Sequence, residues 1–246
     1  MVSLLSAPLV PAMYLRPARA SFDVVGGAVE GGANLLGESV SMEMTGGGQV
    51  TAAYESCMVE ADDFERHEVI NWLGARGNGS FRPFTVEIIN DWVSPGRTIG
   101  GIPHSDGALF SDNSGYSQSG AWGKASASAA VGAGKLQVRV YNASRDLRWA
   151  DWFSIYHATA KGWRAYRYWE SIKTGAGAET IGGELLTYAD YQLGIGPTLR
   201  EAIAVDTRIE FARPKCVMRF PRGFTLPWDY EAFYSSRPTL QFVEAF

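Results

Sequence analysis

Residues 151–172 read DWFSIYHATAKGWRAYRYWESI, and this stretch decides the fold class. Phe153, Ile155 and His157 fall on one face of an extended chain, with Trp152, Ser154 and Tyr156 on the other. The segment His157 to Gly162 is a short polar turn closed by glycine, as expected of a hairpin with several loop residues. The return strand carries Trp163, Ala165, Tyr166 and Tyr168 interleaved with Arg164 and Arg167, and ends on Trp169. One hairpin with this many aromatics predicts a sheet with one face in a core and the other meeting a neighbour.

Outward from the hairpin the same alternation recurs. Arg19 to Val25, Glu38 to Thr45, Gln49 to Glu60, Ser80 to Asn90, Lys135 to Tyr141, Glu184 to Ile195 and Thr239 to Phe246 read as strands. Pro83 places the 80–90 strand at an edge or a bulge. Thr207 to Ala212 and Val217 to Phe220 read as a hairpin around Arg213-Pro214, and residues 173–183 as a Gly/Ala loop. The helix expected at about 62–75 starts on Asp62-Asp63-Phe64-Glu65, where carboxylates favour a helix N-terminus. Phe64, Val69, Ile70, Trp72 and Leu73 supply its apolar stripe, and Gly74, Gly77 and Gly79 its end. Residues 1–17, with three prolines and no period, read as an extended arm, and Trp92 to Gly134 as a long irregular loop.

The totals narrow the function classes. With 46% apolar and 20% charged residues over 246 positions, the chain is a folded protein of one large or two joined β domains. No run of about 18 apolar residues exists to span a membrane, so no membrane insertion is expected. Ala18-Arg19-Ala20 mimics a signal cleavage site, but Pro8 and Pro11 interrupt the preceding apolar run and no charge precedes it. A net charge of −4 argues against a protein that grips nucleic acid by its phosphates. Cys57 and Cys216 could form a long-range disulfide, but two cysteines make no framework, and the favoured reading is two buried thiols of a reducing compartment.

No motif carries catalysis. Gly115-Tyr116-Ser117-Gln118-Ser119 lacks the second glycine of a nucleophile elbow, and Gly134-Lys135 lacks the phosphate-loop pattern. His67, His104 and His157 share no metal-ligand spacing, and helix-start electrostatics accounts for the acids around Asp62. The expectation is a protein with no enzymatic activity, no cofactor and no metal.

Several pieces nonetheless stand in an informative order. They are Gly46-Gly47-Gly48, the helix ending Trp72-Leu73-Gly74-Ala75-Arg76-Gly77-Asn78-Gly79 with Phe81 after it, then Asp151-Trp152-Phe153-Ser154-Ile155 and Gly162-Trp163-Arg164-Ala165-Tyr166. Pro197-Thr198-Leu199-Arg200 and Phe211-Ala212-Arg213-Pro214-Lys215-Cys216-Val217-Met218-Arg219-Phe220 follow. Together, over about Arg19 to Phe220, they resemble the minor tail proteins of long-tailed, non-contractile bacteriophages, and within those the distal tail proteins. The resemblance implies a tail-tube-like β-sandwich with one flanking helix, and a second, galectin-like β-rich portion. On this pattern residues 18–98 with about 190–246 make the ring domain, and about 99–189 the peripheral one.

The function implied is that of a structural virion component, made in the cytoplasm of the bacterial host and placed at the tail tip. There a hexameric ring would join the tail tube to the hub and other baseplate proteins, and DNA would pass through its lumen without specific binding. Candidate contacts between subunits are Leu4, Leu5, Leu9, Val10, Trp92, Ile99 and Ile102 of the arm and loop. From the hairpin come Trp152, Trp163, Arg164, Tyr166, Arg167 and Trp169, residue types enriched at interfaces. Candidate lumen residues are the acids Asp23, Glu30, Glu38, Glu43 and Glu55, since a basic lining would trap DNA. Alternatives are a carbohydrate-binding module of the tail tip that stacks sugars on the hairpin aromatics, another minor tail protein such as a hub or tube-adjacent subunit, and a cell-wall hydrolase. For the hydrolase no acid–base pair or metal site stands out.

Overall fold

In the computed structural model the chain forms two compact units. Residues 1–89, 158–164 and 215–246 make the first, and 90–157 with 165–214 the second. The structure describes all residues except 1–6, 27, 34, 38, 44–46, 61, 80–81, 89–97, 103–110, 112–115, 120, 142, 144, 148–150, 160–161, 182–183 and 228–236. For 12–13, 28–30, 33, 39–43, 98–102, 116–119 and 184 it describes the backbone alone. The chain is mainly β, 53% strand and 9% helical, with one helix of more than a single turn.

The first unit contains α1 (Ala12–Leu15), β1 (Pro17–Val25), β2 (Ala28–Ala33), β3 (Ser39–Glu43), β4 (Gln49–Cys57), α2 (Phe64–Gly77) and β5 (Phe84–Glu87). After the second unit it resumes with β14 (Lys215–Arg219) and β15 (Leu240–Glu244). Five of these strands form an antiparallel sheet in the order β1-β4-β15-β14-β5, while β2 and β3 pair as a separate ribbon. Pro83, expected at an edge or a bulge, directly precedes β5, the last strand in this order.

Alternation along the strands sends Phe22, Val50, Tyr54, Phe84, Met218, Leu240 and Phe242 to one face of this sheet, where Phe220 joins them. Edge-to-face contacts link Tyr54 to Phe22 and Phe242, and Phe84 to Trp72 and Phe242. Helix α2 starts two residues later than expected, capped by Asp63, whose side chain accepts a hydrogen bond from the Arg66 N–H at 3.2 Å. Its buried face is Arg66, Ile70, Leu73, Gly74 and Gly77, rotated from the expected stripe so that Phe64 is exposed. A Cβ at Gly77 would stand 2.3 Å from the Phe220 ring, so this close packing requires glycine. The helix runs on through Gly74 to Gly77, two residues past the expected stop.

The arm 1–17 is not free where it is described. The Val10 N–H donates to the Thr85 carbonyl and the Thr85 N–H to the Pro8 carbonyl, both at 2.8 Å, so residues 8–10 extend the sheet alongside β5. Val10 and Leu15 are buried in their own unit.

The second unit holds β6 (Thr98–Ile102), β7 (Tyr116–Ser119), β8 (Trp122–Ala125), β9 (Lys135–Tyr141), β10 (Trp152–His157), β11 (Gly162–Ile181), β12 (Glu184–Gly196) and β13 (Arg208–Glu210). Six of them close into a barrel, β10-β11-β12-β9-β8-β13, so the second β-rich portion has no sheet edge around its core. That core is Leu136, Val138, Val140, Phe153, Ile155, Tyr166, Tyr168, Leu193, Ile209 and Phe211 with their neighbours. The strands β6 and β7 pair with each other inside what reads from the sequence as one irregular loop.

Two expectations about chain order are corrected. The return to the first unit comes at 215 rather than near 190, because β12 is locked between β9 and β11 and β13 bridges β8 and β10. For the same reason β13 and β14 are not a hairpin: they lie in different sheets on either side of Pro214. Residues 173–181 are not a loop either. They prolong β11, paired with β12 from Lys173↔Tyr191 to Ile181↔Glu184.

Candidate interaction surfaces

The outer face of the first unit's sheet carries the side chains that alternation turns away from the core. In β1 these are Arg19, Ser21, Asp23 and Val25, opposite Glu55, Ala53, Thr51 and Gln49 of β4. Arg19 and Glu55 approach to 3.9 Å, both well exposed. Of the five acids expected to line a channel, Asp23 and Glu55 thus share one face, with a single basic companion. Glu30 and Glu43 lie on the β2–β3 ribbon with side chains outside the described set, and Glu38 lies outside the described residues.

The two sides of this sheet are unlike. The β5 side is lengthened by the chain's own residues 8–10, whereas β1 ends the sheet on the other side. Among the described residues no strand continues beyond β1. The Val24 N–H donates to the Asp23 Oδ1 at 2.8 Å rather than to a strand, a local bond typical of an unpaired edge.

The hairpin that suggested an interface divides differently. Arg164, in the part of the chain that belongs to the first unit, is buried there: its Nη1 lies 3.5 Å from the Glu244 Oε1 and donates to the Ala245 carbonyl. Glu244 is fully buried and its other oxygen accepts from the Val50 N–H at 3.3 Å. Trp163 is half-buried, with the Lys215 ammonium 6.0 Å from its ring centre. Trp152 and Tyr166 are buried in the second unit, Tyr166 stacked on Phe153 at 5.5 Å and hydrogen-bonded to His157 at 2.8 Å. Arg167 is half-buried and stands 5.7 Å over the Trp152 ring. Val10, Trp152, Arg164 and Tyr166, expected at subunit contacts, are internal packing residues of the chain. Trp169 keeps 62% of its surface exposed, lying over Gly194, and Leu9 is also exposed. Leu4, Leu5 and Trp92 lie outside the described residues, as do the side chains of Ile99 and Ile102.

The densest polar constellation is one that the sequence reading passed over, on the outer face of the barrel. Arg139 clamps Asp190 with two hydrogen bonds of 2.7 and 3.0 Å, and its Nη1 reaches the Glu179 carboxylate at 3.1 Å. The same carboxylate accepts from the Tyr141 hydroxyl at 2.7 Å and lies 3.5 Å from the Lys124 ammonium, which also meets Asp206 at 3.1 Å. Trp122 stacks on Tyr141 at 4.4 Å, and Arg139 covers the Tyr188 ring at 3.9 Å. The hydrogen bonds from Tyr141 and then Arg139 hold the Glu179 carboxyl below the usual range, and Asp190 holds the Arg139 guanidinium above its own.

The chain matches no protein-family model and no curated protein.

Arg139 lies 40 positions from Glu179 and 51 from Asp190, so no local pattern signals the cluster. Its one local trace is the placement of Lys124 and Arg139 among apolar residues on outward positions of their strands. Among the described residues no group of His, Cys, Asp and Glu could hold a metal ion.

Proposed function

We propose that this chain is a structural subunit of a phage tail tip, of the distal tail type, that forms a ring between the tail tube and the hub. The observation that carries the reading is the asymmetry of the first unit's sheet, one side extended by the chain's own arm and the other ended by β1. A closed ring is built from head-to-tail contacts, and an unpaired strand offers one half of such a contact. The order of motifs from Arg19 to Phe220 supports the same reading, as does a mainly β chain with one flanking helix. In this reading the acids on the outer face around Asp23 and Glu55 belong to the DNA passage, and the protein acts by shape and adhesion, without catalysis.

Mass by light scattering across a concentration series, with negative-stain images of the peak fraction, tests the proposal. A ring with an open centre is expected. A species that stays monomeric at every concentration, alone and mixed with tail-tube and hub proteins, would rule it out. The carbohydrate-binding alternative loses most of its stacking surface, because Trp152, Tyr166 and Tyr168 are buried. Trp169 and Tyr156 are exposed rings that it retains, and a glycan array with Trp169→Ala and Tyr156→Ala as controls separates the two readings.

A further inference from the structure

We propose that the β11–β12 hairpin beyond the barrel is a strap closed by one carboxylate, Glu179, and that the donors it closes onto form a carboxylate-binding site for an acidic partner side chain.

Strand β12 pairs with β9 only from Tyr188 onward, while its ladder with β11 continues to Ile181↔Glu184. Gly175 to Gly177 of β11 lie opposite Asp190 to Tyr188, which β9 also pairs, so the ribbon with no third strand among the described residues is 178–181 with 184–187, and such a ribbon is marginal by itself in water. Of this ribbon Ala178, Thr180, Leu185 and Thr187 are exposed. Among the described residues of this ribbon, Glu179 is the one whose side chain makes hydrogen bonds or ion pairs outside it. Its three partners, Lys124, Arg139 and Tyr141, come from β8 and β9 and converge on a single carboxylate.

Those partners do not need Glu179 to hold their positions. Arg139 is fixed by Asp190, Lys124 by Asp206, and Tyr141 by its stacking on Trp122. With the strap lifted, two cations and a hydroxyl remain in place around a vacant carboxylate position. An acidic side chain of a binding partner supplies the chemistry that fits it. The inference concerns the second unit alone and stands whether or not the chain forms a ring.

Hydrogen exchange of the full chain tests the strap. In Glu179→Gln, amides in 178–181 and 184–187 should exchange several-fold faster, while 122–125 and 135–141 stay unchanged. Equal rates in variant and wild type, or acceleration throughout the barrel, would overturn it. Acetate, titrated at constant ionic strength into Glu179→Ala, tests the site. The Arg139 Nε–Hε resonance should shift saturably, and markedly less in the wild type, where Glu179 competes. No shift, or the same shift in both proteins, defeats the site. Should Glu179→Ala fail to fold, Glu179→Gln, which keeps the side-chain volume, takes its place with the same criteria.

Discussion

Arg164 and Glu244 illustrate how a residue's role follows from its surroundings. Read along the chain, Arg164 is a cation on an aromatic hairpin, apt for an interface; in the fold it is the partner of a carboxylate with no solvent contact. A lone charge left in such a place is expensive, so Arg164→Met is expected to destabilise the first unit by about 3–5 kcal/mol. Glu244→Leu combined with Arg164→Met should recover much of the loss, which urea titration of the single and double variants would measure. Tyr191 yields a pH prediction. Burial, and then its hydrogen bond to Asp146, push its phenol up to about 12. An unfolded chain would release that proton near the ordinary value of about 10, so it binds fewer protons than the folded one between these limits. The stability held below pH 10 is thus lost as pH rises toward 12. Tyrosinate absorbance should show Tyr191 among the late-titrating phenols, and Tyr191→Phe should flatten the fall. Cys57, free and with its thiol raised to about 11 chiefly by burial, should resist alkylation at pH 8 in the folded protein.

Among the elements, α2 and the arm make opposite points. The helix sits where acidic first-turn residues placed it, and Asp63→Ala should cost about 1 kcal/mol through the lost cap. Gly77→Ala is expected to cost more, roughly 1–3 kcal/mol, since the added methyl overlaps the Phe220 ring and that ring is packed against Phe84 and Phe242. Thermal melts of the two variants, side by side, give the ranking. The arm is read from the sequence as a contact for another subunit, yet Val10 and Leu15 are buried in their own unit. Removing residues 1–17 should therefore lower the melting temperature of the isolated chain, besides any effect on assembly. A truncated chain that melts like the full one would show that the arm's packing contributes little.

At the scale of the whole molecule, the proposed ring is expected to depend on the β1 edge. Val25→Lys places a charge on that edge at an exposed position, so the monomer should change by less than about 0.5 kcal/mol. If β1 joins subunits, light scattering should show the variant shifted toward monomer; an unaltered ring would move the contact elsewhere on the molecule. The sequence by itself determined the class of the fold: period-two alternation marks the strands, and Asp63 with its apolar followers marks the helix. Both are local signals, carried by neighbours in the chain. It also placed both cysteines in the interior as free thiols. What tertiary structure alone decided is which strands meet. Closure of the barrel drew 190–214 away from the first unit, and pairing with β12 turned the Gly/Ala stretch 173–181 into strand. The same closure brought Lys124, Arg139 and Glu179 together across 55 positions of chain. Alternation tells which side chains share a face, but burial depends on what covers that face. That is why Trp152, Arg164 and Tyr166 read as surface and fold as interior.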